Sequence, residues 1–291
     1  MLRLPKRITV VGVGLIGGSI ALGLKMHLAS KISILGLCND PERAKLAQKE
    51  GIIDQAIFNL AQIPRIDNLI ILATPISTII KILPALAKLR LKECLTIDVG
   101  STKREIVNFA AVNFPSFPFV ATHPMAGKEY SGFKNADPFL FKNKPWIVCP
   151  VDNIKSTHLE IVNWLINILG AKKIIMSAKK HDQVLAFASH LWLILSSISV
   201  SIAAKQPQWK IIAQVASTGF RDITRLASHS PEMKTDIIFS SKNNIISVLQ
   251  ETKEEIDNFL DILTKNDANK LLTYLRESKI IRDYWLAKHF G

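Results

Sequence analysis

The sequence predicts an α/β protein in which an N-terminal doubly wound parallel sheet precedes an all-helical C-terminal domain. Short apolar runs alternate with helical stretches in the first half, as a parallel sheet with crossover helices requires. Residues 1–150 hold 10 of the 13 glycines and 11 of the 13 prolines. Because the composition changes there, we expect one domain over 1–150 and a second, helical domain over 151–291.

The elements follow in order along the chain. Apolar, β-branched runs predict strands at Ile8–Val11, Ile32–Leu37, Leu69–Leu72, Leu95–Ile97 and Phe119–Ala121. The helical stretches between them are Leu15–Met26, Pro41–Lys49, Ile76–Leu89 and Lys103–Asn113. The second domain keeps helical spacing over Asp182–Lys205, Gln208–Thr218, Glu232–Gln250, Lys253–Lys265 and Ala268–Leu286.

One segment of the second domain has the length of a membrane span. Residues 183–204 contain no Asp, Glu, Lys or Arg, and these 22 residues are enough to cross a bilayer. The segment also carries His190 and five serines, which is typical of a helix buried in protein. We therefore expect no membrane partner and a homodimer through the C-terminal helices, in which the second subunit helps to bury this helix.

Composition narrows the function classes further. The net charge of +13 favours anionic partners. The sequence has no run of five like charges and no nucleic-acid-binding motif, so we expect a small anionic substrate and no nucleic acid. The three cysteines fit neither a disulfide framework nor a zinc site, and Met1–Lys6 lack the apolar stretch of a secretory signal. These features predict a cytoplasmic protein without a metal.

A glycine-rich loop joins the first strand to the first helix, where Rossmann-type folds bind a dinucleotide. Gly12 permits the tight turn, Gly14 lets a pyrophosphate approach the backbone, and Gly17 lets helix and strand pack closely. Leu15 and Ile16 begin the helix, whose N-terminal N–H groups favour phosphate. We predict that these five residues bind the cofactor and that the first domain is dinucleotide-binding.

The end of the second strand decides between NAD and NADP. An acidic residue there would bind the ribose hydroxyls of NAD and repel a 2′-phosphate. This sequence has Cys38 at the tip, Asn39 and Arg43 as donors, and Asp40 as the predicted N-cap of the next helix. We therefore predict NADP. A strand that ends two residues later would make Asp40 the ribose ligand and NAD the cofactor.

Polar residues just after strands are the next candidates, since ligands bind at the carboxyl ends of parallel strands. Thr74 and Pro75 follow the third predicted strand and are predicted to contact the cofactor. Ser101 and His123 follow two neighbouring strands, so their side chains can converge beside the nicotinamide. The pKa of histidine suits proton transfer near neutrality, and a nearby hydroxyl can orient the ring.

Further candidates lie in the helical half. His190 lies in the middle of the uncharged helix, where it is either a hydrogen-bonded core residue or a ligand. Arg225 is suited to a bidentate pair with a substrate carboxylate, and Asp222 nearby is a candidate substrate contact. Arg221 or Arg225 could equally pair with Asp222 as a structural salt bridge.

Six motifs spread over both halves resemble the prephenate/arogenate dehydrogenase family. They are Gly12-Val-Gly-Leu-Ile-Gly-Gly18, Asp98-Val-Gly-Ser-Thr-Lys103, His123-Pro-Met-Ala-Gly-Lys-Glu129, His181-Asp182, Ser189-His190-Leu191 and Gly219-Phe-Arg-Asp-Ile-Thr-Arg225. The resemblance implies NAD(P)-dependent oxidative decarboxylation of arogenate or prephenate in tyrosine biosynthesis, with arogenate slightly favoured. In this reaction a hydride passes from the C4 alcohol of the ring to the nicotinamide, and loss of CO2 gives a phenol.

The resemblance also implies roles for individual residues. By the family's pattern, His123 takes the hydroxyl proton, Ser101 orients it and Arg225 binds a carboxylate. His190 helps to position the substrate, and Glu129 lies at the mouth of the pocket.

The sequence departs from the family's pattern at three positions. Trp192 stands where proline is usual, Lys234 stands where an aromatic side chain is common, and Cys38 replaces an acidic ribose ligand. Two alternative functions stay open at this point. Another two-domain hydroxyacid dehydrogenase should carry a catalytic lysine early in its helical domain, and Asp182–Lys205 has none inside it. A nucleotide-sensing regulator would leave Ser101 and His123 unused.

Overall fold

The computed structural model describes residues 4–66, 68–89, 94–151 and 154–290. The chain divides into two compact units, Met1–Lys242 and Asn243–Gly291. The first unit contains the sheet and every candidate site residue.

The first unit is built on a sheet whose described strands have the order β3-β2-β1-β4-β5-β6-β7-β8. The strands are β1 (Arg7–Val11), β2 (Ser33–Leu37), β3 (Gln55–Ile57), β4 (Asn68–Leu72), β5 (Leu95–Asp98), β6 (Phe119–Pro124), β7 (Pro145–Cys149) and β8 (Lys172–Ile175). The pairs are parallel apart from β6–β7, which is antiparallel. The strand order reverses between β1 and β4, so the predicted doubly wound α/β class is confirmed.

Helices cover both faces of this sheet. They are α1 (Leu15–Leu28), α2 (Pro41–Lys49), α3 (Ile76–Lys88), α4 (Arg104–Asn113) and α5 (Ser156–Ile168). Side chains on one strand alternate between the two faces. Val10 of β1 therefore packs with Leu24 of α1, while its neighbour Val11 packs in the opposite cluster with Leu83 of α3. The carboxyl ends of the strands, where the candidate residues lie, are thus held between two apolar layers.

The sheet extends beyond the boundary that we predicted near Pro150. Four elements were not predicted from the sequence, namely β3, β7, β8 and α5. The short β3 offers only three residues, and β8 is a fully exposed edge strand of two lysines and two isoleucines, so neither shows a buried apolar run. Because β8 pairs with β7, the sheet continues to Ile175.

The helical part of the first unit follows the sheet. It contains α6 (Ala178–Leu185), a π-helical turn at Ala186–His190, α7 (Leu191–Ala204), α8 (Trp209–Val215), α9 (Thr218–Thr224) and α10 (Pro231–Ser240). The single helix predicted over Asp182–Lys205 therefore begins four residues earlier and carries a π-helical turn that ends at His190. The helix predicted over Glu232–Gln250 is interrupted at Ser241, where α10 ends.

Among the described helices, the stretch Ala178–Ala204 is long and apolar enough to cross a membrane, and 33% of its most apolar 18-residue segment is buried. Core helices of soluble proteins can have the same length and composition. This stretch also carries His181, Asp182 and His190, which are buried polar residues.

The second unit consists almost wholly of α11 (Lys242–Thr264) and α12 (Ala268–Phe290). Large apolar side chains of α12 are exposed in the single chain, among them Ile280, Ile281 and Tyr284. The break between the two helices falls at Asn266, which has a positive φ of 51°.

Candidate active site

The glycine-rich loop has the geometry of a dinucleotide cradle. Gly12 has a φ of +95°, and a Cβ there would lie 2.7 Å from the carbonyl oxygen of Ala73. A Cβ on Gly17 would lie 2.3 Å from the carbonyl oxygen of Gly12, so α1 packs directly on the loop. Gly14 precedes the first residues of α1, Leu15 and Ile16, and faces open space where a pyrophosphate can approach.

The tip of β2 lies beside this loop. Cys38 is half-buried, and burial raises the pKa of its thiol, while the Val13 backbone opposes that shift. Asp40 caps α2, and its Oδ1 accepts the N–H groups of Glu42 and Arg43 at 3.0 and 3.1 Å. The predicted N-cap is therefore confirmed, and Asn39 and Arg43 are exposed next to it.

The next strand end contributes Thr74 and Pro75. The Thr74 Oγ1 atom is buried and has no hydrogen-bonding partner among the described residues. Pro75 is exposed and directly precedes α3. A buried hydroxyl without a partner, next to a glycine cradle, can hydrogen-bond to a bound ligand. These residues fit a bound dinucleotide.

A buried ion pair fixes the loop after β5. Asp98 ends the strand and pairs with Lys103, and both side chains are inaccessible to solvent. Asp98 also accepts the N–H of Gly100 at 2.8 Å and the N–H of Thr122, in β6, at 3.2 Å. Burial raises the pKa of Asp98, and the charge of Lys103 opposes that shift. Ser101 lies inside the short loop that this network holds.

His123 belongs to a chain of buried, hydrogen-bonded side chains. Its Nδ1 lies 2.9 Å from His181 Nε2, and His181 Nδ1 lies 2.7 Å from Asp182 Oδ1. Asp182 also accepts the backbone N–H groups of Lys103 and Arg104 at 2.8 and 2.9 Å. The chain joins α6 to β6 and to the start of α4.

The structure places His123 differently from our prediction. We expected it just after a strand that ends at Ala121, but β6 continues to Pro124 because β7 pairs with it, with His123 opposite Ile147. His123 is 8% exposed. Burial lowers its pKa well below the usual value, and the nearby His181, Lys103 and His190 lower it further. The ring is therefore neutral at physiological pH, and one of its nitrogens carries a lone pair.

His190 lies in the same region as Ser101. Burial lowers its pKa to about 4, while Asp182 and the Ser101 backbone act in the opposite direction. Its ring is 1% exposed, and neither ring nitrogen has a side-chain hydrogen-bonding partner among the described residues. A buried imidazole left in this state is suited to bind a polar ligand.

Arg225 and Glu129 form an ion pair that is partly exposed to solvent. The hydrogen bond from Arg225 lowers the pKa of Glu129, which is therefore ionised at neutral pH. Glu129 follows His123 by six residues, so the pair connects the guanidinium to the loop after β6. Asp222 is exposed, and its carboxylate pairs with Arg221.

No individual roles were predicted for His181 and Asp182, although the dipeptide is one of the six motifs. Asp236 was not predicted either; its carboxylate accepts the N–H groups of Ile76 and Ser77 at the start of α3. No local pattern signals the contacts of His181 with His123, of Asp182 with Lys103 or of Asp236 with Ile76, since each joins residues that are distant in the chain.

Comparison with known families gives matches in both parts of the chain. Residues 20–175 match the family model "Prephenate dehydrogenase, nucleotide-binding domain". Residues 177–277 match "Prephenate dehydrogenase, dimerization domain". The two matches meet just after β8.

Curated relatives cover most of the chain. A prephenate dehydrogenase of Bacillus subtilis is 34% identical over 286 residues, which are 97% of this chain and 77% of the relative. A cyclohexadienyl dehydrogenase of Zymomonas mobilis is 25% identical and covers 95% of each chain.

Solved structures give the same fold. Prephenate dehydrogenase from A. aeolicus, in complex with hydroxyphenyl propionate and NAD+, has a TM-score of 0.89 at 27% identity and covers 96% of this chain and 98% of its own. Synechocystis arogenate dehydrogenase has a TM-score of 0.81 at 26% identity and covers 96% and 99%.

Proposed function

This chain belongs to the prephenate dehydrogenase family, and we propose that it catalyses the NAD(P)-dependent oxidative decarboxylation of arogenate or prephenate in tyrosine biosynthesis. The observation that carries this proposal is the buried, neutral His123 beside His181, on the strand next to the Ser101 loop. The reaction requires such a base because the C4 hydroxyl must lose its proton as C4 loses a hydride.

The chain's own residues divide the work. His123 accepts the hydroxyl proton at its free ring nitrogen, and the Ser101 hydroxyl orients the alcohol. His190 binds the substrate through its buried ring, and Arg225 binds a carboxylate. The bound nicotinamide supplies the hydride acceptor. Burial of His123 and His190 keeps both imidazole rings neutral and shields them from water.

The proposed cofactor is NADP. Gly12, Gly14 and Gly17 hold the pyrophosphate at the start of α1, and Thr74 and Pro75 contact the dinucleotide from the end of β4. At the ribose, Cys38 presents no carboxylate, and Asp40 is engaged as the cap of α2. Asn39 and Arg43 are exposed there as donors for a 2′-phosphate.

The proposed preferred substrate is arogenate. Its side chain carries an ammonium and a carboxylate on one carbon, whereas prephenate has a keto group in place of the ammonium. If Arg225 binds that carboxylate, the ionised Glu129 that pairs with Arg225 lies next to the ammonium. An ammonium beside a carboxylate is favoured over a neutral keto group.

The proposed domain division is a dinucleotide-binding domain to about Ile175 and a helical domain for substrate binding and dimerisation after it. The two family matches, which meet between residues 175 and 177, support this division. A cytoplasmic homodimer is part of the proposal, and the name of the second matched domain supports the dimer.

A steady-state assay that crosses arogenate and prephenate with NADP and NAD tests the proposal. We expect reduced cofactor and CO2 in equal amounts, with the highest kcat/KM for arogenate with NADP. His123→Asn serves as the control for the base, since it should lose turnover and keep cofactor binding. Absence of turnover in all four combinations contradicts the proposed activity.

A further inference from the structure

The buried chain from Asp182 to His123 has a defined direction of hydrogen bonding. Burial by itself would raise the pKa of Asp182. Hydrogen bonds from His181 and from the backbone of Arg104 and Lys103 outweigh this effect, so the pKa is lowered overall. As a carboxylate, Asp182 can only accept hydrogen bonds. His181 must therefore carry its proton on Nδ1, which lies 2.7 Å from the carboxylate.

This assignment passes to His123. Burial lowers the pKa of His181, so the ring is neutral and its Nε2 carries a lone pair. That lone pair lies 2.9 Å from His123 Nδ1, which must then carry the hydrogen of the bond. The remaining nitrogen of His123, Nε2, is left without a proton and can act as a base.

We infer that His181 and Asp182 are positioning residues that hold His123 in the tautomer whose Nε2 accepts the proton of the substrate alcohol. The inference rests on the proposed function for its catalytic consequence. Asp182 is held in turn by the start of α4, so the direction of the chain depends on a helix end that is fixed in the fold.

The step balances as a two-electron oxidation of the alcohol. C4 gives its hydride to the nicotinamide, the O–H bond of the hydroxyl breaks, and an N–H bond forms at His123 Nε2. The imidazolium that results still donates its Nδ1 hydrogen to His181. The negative charge of Asp182, at the other end of the chain, stabilises this positive charge. Lys103 and His190 also face this ring; the positive Lys103 opposes the imidazolium, and its pairing with Asp98 limits that opposition.

Two variants of His181 separate tautomer control from packing. His181→Leu fills the space without an acceptor, while His181→Gln keeps an amide oxygen near the position of Nε2. His158→Leu is the matched control, since it makes the same change at a half-buried histidine of α5 outside the site. The readouts are kcat, KM, the Kd of the cofactor, and the 15N ring shifts of His123.

We expect the wild-type shifts to show a proton on Nδ1 of His123 and a bare Nε2. His181→Leu should lower kcat about 100-fold at nearly unchanged cofactor Kd, less than the ~10⁴-fold loss seen when a catalytic histidine is held in the wrong tautomer. His181→Gln should restore kcat to within about threefold of wild type and keep the Nδ1 proton.

A proton on His123 Nε2 in the wild-type protein overturns the inference. Equal loss of kcat in the Leu and Gln variants, or an unchanged kcat in the Leu variant, overturns it as well. If the wild-type enzyme oxidises neither substrate, the proposed function fails, and the ring shifts of His123 still decide the tautomer in all three proteins.

Discussion

The Asp236 carboxylate accepts the backbone N–H of Ile76 at 2.5 Å, so a residue of α10 caps the helix that follows β4. Asp182 of α6 caps α4 in the same way. A third contact, between Thr102 and Ser240 at 2.9 Å, joins α10 to the loop after β5. The helical part of the first unit is therefore fastened at the strand ends where the cofactor and substrate are proposed to bind.

The Asp236 cap contributes to stability. We expect Asp236→Ala to lower the free energy of unfolding by about 1 kcal/mol, because two N–H groups at the start of α3 lose their acceptor. Urea unfolding checks this change. Asp222→Ala, which removes an exposed carboxylate paired with Arg221, is the control and should change stability by less than ~0.5 kcal/mol. Equal effects of the two variants would contradict the assignment.

Cofactor preference should depend on the tip of β2. Cys38→Asp places a carboxylate at the proposed 2′-phosphate position, and we expect kcat/KM with NADP to fall at least about tenfold relative to NAD. The neutral Cys38→Ser variant should keep the wild-type preference. A wild-type enzyme that prefers NAD, or an Asp variant with no change in preference, argues against Cys38 as the discriminating residue.

Substrate preference should depend on Glu129. In Glu129→Gln the charge next to Arg225 is lost, so we expect kcat/KM for arogenate to fall more than that for prephenate, by about fivefold to tenfold. Glu160→Gln, the same change on α5 outside the site, should leave both values unchanged. A parallel fall for the two substrates indicates that Glu129 acts only by holding Arg225.

The buried histidines should make stability depend on pH. The pKa of His190 is about 4 in the folded protein and about 6.5 when unfolded, so below pH 6.5 the unfolded state binds more protons. Its contribution is therefore present above pH 6.5 and is lost as the pH falls towards 4. Between pH 7 and pH 5, the free energy of unfolding should fall by about 2 kcal/mol less in His190→Asn than in the wild-type protein. Urea unfolding at both pH values measures this difference. Identical pH dependence of the two proteins contradicts a buried neutral His190.

The exposed apolar face of α12 should form part of the dimer interface. Ile281 is 70% exposed in the single chain, and other large apolar side chains of the same helix are exposed as well. A group of exposed apolar side chains is typical of a protein interface. We expect Ile281→Glu to shift the protein from dimer to monomer in sedimentation, while Arg276→Glu, which places a carboxylate on the other side of the same helix, leaves the dimer intact. A wild-type monomer, or an Ile281→Glu dimer, excludes this face.

The sequence was sufficient for features that depend on neighbouring residues. Gly12, Gly14 and Gly17 identify the loop because each backbone requirement is local, and Asp40 before Pro41 identifies a helix cap for the same reason. The contacts of His181 with His123, of Asp182 with Lys103 and of Asp236 with Ile76 could not be predicted, since each joins residues at least 58 positions apart. The antiparallel β7 was missed, and with it the position of His123 inside a strand.

That position has a consequence for how the enzyme can adapt. His123 is held in β6 by its pairing with β7, two residues beyond the last pair with β5, while Arg225 lies on a short 3-10 turn with a side chain that is 57% exposed. If His123 is the base, as proposed, it cannot follow the substrate, and we expect accommodation of a different side chain at the Arg225–Glu129 ion pair. Mutations of this pair should then change the range of substrates while the proton chemistry stays intact.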